Sequence, residues 1–232
     1  MSKTIAIIPA RGGSKRIPKK NIMNFCGKPM IAWTIEAAIA SNCFDRVLVS
    51  TDDQKIADVA VDHGAQVPFL RNDFADDISP VSVATIAAIK QAEQYWSESY
   101  DTVVQLMANC PIRNSADIAA SLANFEQKGR DFQISSFKFG WMNPWWAAKL
   151  DKDGVPDKVF PEAITKRSQD LEDLYCPTGA IWIANTARLV EAGTFYGEGH
   201  VFDVIDWTAA VDIDDAEDLL MAKAVHQMIH AQ

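Results

Sequence analysis

Short apolar runs alternate along the chain with longer amphipathic stretches. Ile5-Ala6-Ile7-Ile8 has no polar break, as expected of a strand covered on both faces, and a strand is expected over residues 3–9. Further strands are expected over residues 46–50, 67–70 and 102–106. Between them, helical spacing of apolar positions predicts helices over 28–41, 53–63, 79–96 and 114–128, the last opened by the capping residues Asn114 and Ser115. This rhythm predicts an α/β fold: a mostly parallel sheet, right-handed crossovers and helices on both faces.

The rhythm breaks near residue 131. Phe137, Phe139, Trp141, Trp145 and Trp146 put five aromatics into ten residues, and Asp151-Lys152-Asp153-Gly154 is a turn signal soon after. A β-rich excursion is expected here rather than another strand–helix unit. The α/β pattern resumes at 179–184 and ends in a helix from about Asp215. No repeat, low-complexity tract or linker divides the sequence, so one domain over 1–232 is expected, carrying an inserted arm at about 137–175. Exposed together, the aromatics of that arm would form an apolar patch of the kind that marks an interface, and a C2 homodimer is expected.

Composition narrows the function. The 232 residues are 48% apolar, sufficient for a core, and the formal net charge is −9. That balance argues against nucleic acid or an anionic membrane as partner. Four widely spaced cysteines form no C-x-x-C pair, which fits reduced thiols and a cytoplasmic location. No stretch of about 20 apolar residues is present.

Against this acidic background, residues 11–20 (Arg-Gly-Gly-Ser-Lys-Arg-Ile-Pro-Lys-Lys) carry five cations and no anion. The segment follows the first expected strand. Glycines there let backbone N–H groups approach phosphate oxygens, and the cations neutralise them. Two glycines and the internal Ile17-Pro18 favour a shaped loop over a solvated charge run. Neither G-x-x-x-x-G-K-[ST] nor G-x-G-x-x-G can be laid on it, which argues against a P-loop kinase and a dinucleotide-binding dehydrogenase.

Val211-Asp212-Ile213-Asp214 is the second candidate, expected at the end of the last strand. Residues two apart in an extended chain project to the same side, and two carboxylates there suit Mg²⁺ that also holds phosphates. A second reading makes Asp214 the N-cap of the final helix with Glu217 as its capping-box partner, which leaves Asp212 unexplained. Two further signals point to structure. His226-Gln227-Met228-Ile229-His230 lacks the glutamate of a zincin helix, and Ser50-Thr51-Asp52-Asp53 suits a helix cap.

Residues 8–21, Ile-Pro-Ala-Arg-Gly-Gly-Ser-Lys-Arg-Ile-Pro-Lys-Lys-Asn, resemble the opening motif of the N-acylneuraminate cytidylyltransferases. The resemblance continues in order through Gly27-Lys28-Pro29-Met30, Val49–Asp53, Pro177–Ile181 and Asp212-Ile213-Asp214. It implies a Rossmann-like nucleotidyltransferase sheet with a β-rich dimerisation insertion, and a reaction joining CTP to a nine-carbon (nonulosonic) sugar acid with release of pyrophosphate. By the same resemblance, Arg11 and Lys20 would hold the triphosphate and act in catalysis with Asp212. Ala10, Gly12, Gly13, Lys15 and Asn21 would complete the phosphate loop. Arg71 and Ser82 would lie by the cytidine, and Asp212 and Asp214 would bind Mg²⁺. The sugar side would comprise Met107, Asn109, Arg167, Gln169 and Thr178.

Two positions depart from the sialic acid branch. Met107 replaces a glutamine and Cys176 an arginine, while Ser168-Gln169-Asp170-Leu171-Glu172 is closer to the pseudaminic acid branch. The alternatives are the same reaction on another sugar acid, or a catalytically silent nucleotide-binding module; intact Asp212 and Asp214 argue against the latter.

Overall fold

A computed structural model describes residues 2–71 and 80–231. In chain order the strands are β1 (Thr4–Pro9), β2 (Asn24–Phe25), β3 (Lys28–Pro29), β4 (Arg46–Ser50), β5 (Thr102–Gln105), β6 (Phe132–Lys138), β7 (Ala148–Leu150), β8 (Pro156–Lys158), β9 (Tyr175–Asn185) and β10 (Val201–Val204). The helices are α1 (Met30–Ala40), α2 (Gln54–Asp62), α3 (Val81–Trp96), α4 (Ser115–Lys128), α5 (Thr186–Ala192) and α6 (Ala216–His230). Among the described residues the main sheet has the order β10-β6-β9-β5-β1-β4. All of its strands run parallel except β9, which is antiparallel to both β5 and β6.

The unbroken apolar run of β1 is explained by two cores. Ala6 and Ile8 pack with Ile31 and Ile35 of α1, Ile56 of α2, and Ile118 and Leu122 of α4. Ile5 and Ile7 pack with Ala88 and Ile89 of α3 and Leu189 of α5. Helices on both faces therefore bury Ile5, Ala6, Ile7 and Ile8 completely. The α/β, mostly parallel Rossmann-like expectation holds.

Several local expectations are corrected. Residues 67–70 form no strand: only Gln66 bridges to Leu48, and Pro68 has no N–H to extend the ladder. The first helix starts at Met30, because Lys28 and Pro29 pair with Asn24 and Phe25 in a small hairpin and Pro29 occupies the cap position. The start expected at Ser79 lies outside the described residues. The last strand, β10, ends at Val204, so Asp212 and Asp214 stand in irregular chain and not at a strand end. β10 and the seven-residue α5 were not expected; both are too short to show a period. β9 runs antiparallel because it returns directly from the excursion that follows β6.

The final helix is capped one residue later than the capping reading had it. Asp215 accepts from the Glu217 and Asp218 N–H groups, and Asp218 reciprocates by accepting from the Asp215 N–H. Asp214 and Glu217 are not the box. This leaves the Asp214 carboxylate available to face elsewhere.

Candidate functional site

Parallel strands β1 and β5 both end at one edge of the sheet, where the following loops define a cleft of about 430 Å³. Its walls are Arg11, Ser14, Lys15, Arg16, Lys20 and Asn21 from the loop after β1, and Met107, Ala108 and Asn109 after β5. Asp214 closes it from the segment before α6. Ligands bind at this edge of open α/β sheets.

The basic loop is held at both ends. Ala10 N–H donates to Ser50 C=O at 3.0 Å, extending the β1–β4 pairing, and buried Asn21 donates from Nδ2 to Arg11 C=O at 3.0 Å. Lys19 takes the left-handed conformation at φ 55° and starts the short 3₁₀ turn Lys20–Ile22, which turns Lys20 inward. Gly12 passes close over the end of β4: a Cβ there would lie 2.7 Å from Asp53 Oδ2. The Gly12 N–H donates to Asp52 at 3.0 Å, so this amide anchors the loop and is not directed at a ligand. Gly13 has open space around it. Asp52 thus ties down the loop, while Asp53 caps α2 through Lys55 N–H.

Opposite the loop stand the two carboxylates. Lys20 Nζ donates to Asp214 Oδ1 at 2.9 Å and to Ile213 C=O at 2.7 Å, and Arg16 donates to Asp214 Oδ2 at 2.7 Å. Asn109 Nδ2 donates to Asp212 Oδ1, to Ile213 C=O at 3.1 Å and to Asp214 Oδ1 at 3.3 Å. The two carboxylates therefore do face one side, as the spacing predicted, although the cause is tertiary contact and not strand geometry.

Their electrostatics diverge. Burial pushes the Asp212 carboxyl up to about 6, with the Asp214 charge adding to the effect and Lys20 opposing it. Burial also acts to raise Asp214, but the Lys20 and Arg16 hydrogen bonds and charges outweigh it and hold that group below the ordinary carboxylate range. Two hard oxygen donors repelling one another inside a cationic cleft could hold a divalent cation, which would relieve that repulsion. Among the described residues no set of three or more His, Cys, Asp or Glu is placed to cage a metal. Two carboxylates that leave room for phosphate oxygens and water suit Mg²⁺.

The other expected site residues are spread around this centre. Arg71 is buried behind the loop, near Asp52 and Arg11, and its Nε has no hydrogen-bond partner among the described residues. Ser82 is buried in the first turn of α3 and its hydroxyl accepts from Phe195 N–H at 3.4 Å. Met107 lines the cleft, and its N–H donates to Gly179 C=O at 3.3 Å.

Thr178 is buried and donates to Ala210 C=O at 3.0 Å, which ties β9 to the turn before Asp212. Arg167 and Gln169 stand exposed on the excursion, where Arg167 pairs in bidentate fashion with Asp170. Cys176 lies in β9 with Tyr196 in its electrostatic neighbourhood, not in the cleft wall. His226 and His230 pack their rings 4.3 Å apart beside Trp33, a contact of helix α6 with α1.

The excursion between β6 and β9 has little core of its own. Over residues 139–174 only Ala163 is fully buried. Trp145 stacks edge-on with Phe160 at 4.9 Å and donates to Glu172 C=O, and Phe137 lies 5.8 Å from Phe139. Trp141 is 85% exposed. No helix among the described residues is long and apolar enough to cross a membrane.

Known proteins resemble this chain over most of its length. The chain is 36% identical over 230 residues to a pseudaminic acid cytidylyltransferase of Campylobacter jejuni, covering 98% of each chain. It is 37% identical over 204 residues to a CMP-N,N'-diacetyllegionaminic acid synthase of Legionella pneumophila, covering 84% of each. Among solved structures, a CMP:2-keto-3-deoxy-manno-octonic acid synthetase complexed with CTP shares the fold, with a TM-score of 0.70 at 16% identity over 98% of this chain and all of that one. The cytidylyltransferase family model matches residues 5–172, from β1 to the far side of the excursion, and the chain belongs to that family.

Proposed function

We propose that this chain transfers the cytidylyl group of CTP to the anomeric hydroxyl of a nine-carbon sugar acid of the pseudaminic or legionaminic class, releasing pyrophosphate. It would work as a Mg²⁺-dependent cytoplasmic homodimer. The observation that carries the reading is the cleft itself, where Arg11, Lys15, Arg16 and Lys20 line the wall past the ends of β1 and β5 and Arg16 and Lys20 pair with Asp214. The 36% and 37% identical relatives supply the sugar class.

The sugar hydroxyl oxygen bonds to the α-phosphorus of CTP as its proton is released to water, the bond from that phosphorus to the bridging oxygen of the β-phosphate breaks, and pyrophosphate carries away the electron pair. Such a displacement requires positioning and charge neutralisation more than covalent help. The loop cations supply the second by gathering the triphosphate oxygens. Lys20 and Arg16 begin on Asp214, and a triphosphate entering the cleft exchanges that carboxylate for phosphate oxygens. The carboxylate so released would, with Asp212, hold Mg²⁺, which would supply charge neutralisation on the phosphates. Met107 gives the cleft an apolar lining where the sialic acid branch places a glutamine, so N-acetylneuraminic acid is not expected to be the best acceptor.

Screening CTP, UTP and ATP against pseudaminic, legionaminic and N-acetylneuraminic acids for pyrophosphate release tests the assignment. CTP with one of the first two acids should lead. Asp212→Asn should remove the metal-dependent rate by roughly a thousandfold, about 4 kcal/mol, with the fold intact. Preference for N-acetylneuraminic acid would overturn the sugar class, and full activity of Asp212→Asn or of the wild type in excess chelator would overturn the metal role.

A further inference from the structure

Asp212 and Asp214 lie in irregular chain between a turn and α6, so no strand ladder fixes where their carboxylates point. Left alone, two like charges in one cleft separate. We infer that Asn109 is the positioning residue that holds this acidic pair in place, a role distinct from the sugar contact expected for it and resting on the functional reading above.

Its geometry is specific to the task. Asn109 is buried at the end of the turn after β5. The amide Nδ2 reaches the Asp212 carboxylate, the Asp214 carboxylate and the Ile213 carbonyl between them. The Asn109 backbone C=O accepts from Ile213 N–H at 2.9 Å, so the residue grips the segment with main chain and side chain together. Lys20 takes the other side of Asp214 and of the Ile213 carbonyl, while Asn109 donates to the Asp212 carboxylate as well.

The residue type matters as much as the place. A neutral amide offers donors to both acids without cancelling their charge, which a lysine there would do. A leucine would retain the volume and offer no donor. Partners that orient metal-binding carboxylates typically carry about 10- to 100-fold of metal affinity.

The test measures Mn²⁺ binding by electron paramagnetic resonance, with no turnover required, beside CTP binding by calorimetry without metal. Asn109→Leu should weaken Mn²⁺ roughly tenfold or more while metal-free CTP affinity stays within about twofold, because the basic loop is untouched. Asn109→Ser, which retains a shorter donor and removes volume, should fall between Leu and wild type, and it carries the test if the leucine variant does not fold. A folded variant whose Mn²⁺ affinity stays within about twofold of wild type would overturn the inference, as would equal losses of Mn²⁺ and CTP, which indicate general disruption. An Asn109-dependent Mn²⁺ affinity in a wild-type protein that releases no pyrophosphate from CTP with any sugar acid would overturn the functional reading and leave the positioning role standing.

Discussion

At the cleft, side chains from residues 11–21, 107–109 and 212–214 satisfy one another, whereas along the excursion all but one of residues 139–174 stay at least partly open to solvent. The first region is self-sufficient in charge: loop cations meet an acidic pair, and buried Asn21 and Asn109 staple each side. The second leans on short local contacts, such as Trp145 on Phe160 and Arg167 on Asp170. The contrast separates two sources of order. Complementary charges on a sheet edge can complete a site within one chain. An aromatic excursion with one fully buried residue needs apolar cover from elsewhere.

Beyond the loss expected of Asp212→Asn, the larger effect falls on the self-sufficient side. Lys20→Ala and Arg11→Ala should each cut kcat/KM by roughly a hundredfold or more, about 3 kcal/mol of transition-state stabilisation. Steady-state kinetics with CTP varied reads this directly. Lys20→Ala also removes two bonds to the segment carrying the acids, so its metal dependence should shift where that of Arg11→Ala does not. Near-full activity of either folded variant would remove the loop from the phosphate site.

A smaller effect is expected on the other side of the comparison. Trp141 is the most exposed aromatic of the excursion, whereas Trp145 and Trp146 each donate a bond within it. Trp141→Ser therefore probes association without unstitching the arm. Loss of a central aromatic contact should raise the dimer dissociation constant by roughly thirtyfold, about 2 kcal/mol, with activity falling at dilute protein and recovering at high concentration. Sedimentation of wild-type protein as a monomer at micromolar concentration would sink the homodimer, and with it the reading of the arm as a dimerisation insertion.

The same contrast explains what the sequence made legible. The basic loop announces itself because its cations are clustered and opposite in sign to an acidic chain, and the Asp-x-Asp pair because its two carboxylates stand two residues apart. Four of the six main-sheet strands, β1, β4, β5 and the second half of β9, show as apolar runs, whereas β6 alternates polar and apolar residues and β10 is short. Asn109 could not be read this way: its role depends on meeting residues 212–214 across about a hundred positions. A polar residue next to Cys110 and Pro111 carries no signal of that meeting. The capping reading falls one residue early because five acids (Asp212, Asp214, Asp215, Glu217, Asp218) crowd the start of α6, and only tertiary competition for Asp214 decides among them. For Thr178 and Ser82, hydroxyls that could serve a ligand are spent on Ala210 C=O and Phe195 N–H, a burial that composition does not reveal.

The smallest expected effect sits at the seam between the two regions, where Met107 of the cleft meets Gly179 of β9. A Cβ on Gly179 would come within 2.8 Å of Met107 Cγ and 3.5 Å of its Cβ. The Met107 N–H bond to Gly179 C=O holds the two backbones together, so the clash cannot be relieved by sliding them apart. The methionine side chain must rotate instead, which takes Sδ away from Gln105 Nε2, now 3.9 Å distant. Gly179→Ala should therefore cost about 1.5 kcal/mol by overpacking, read as a shifted denaturant midpoint at constant slope. Met107→Ala in the same chain makes room for the new methyl, so the double variant should be more stable than the sum of the singles predicts. Additivity within about 0.5 kcal/mol would show that the two side chains do not compete for one space. Kinetics on the same variants then sharpens the division of the site. If Met107 faces the sugar, KM for the sugar acid changes in Gly179→Ala while KM for CTP stays within about twofold; a change in CTP alone would move Met107 to the nucleotide side.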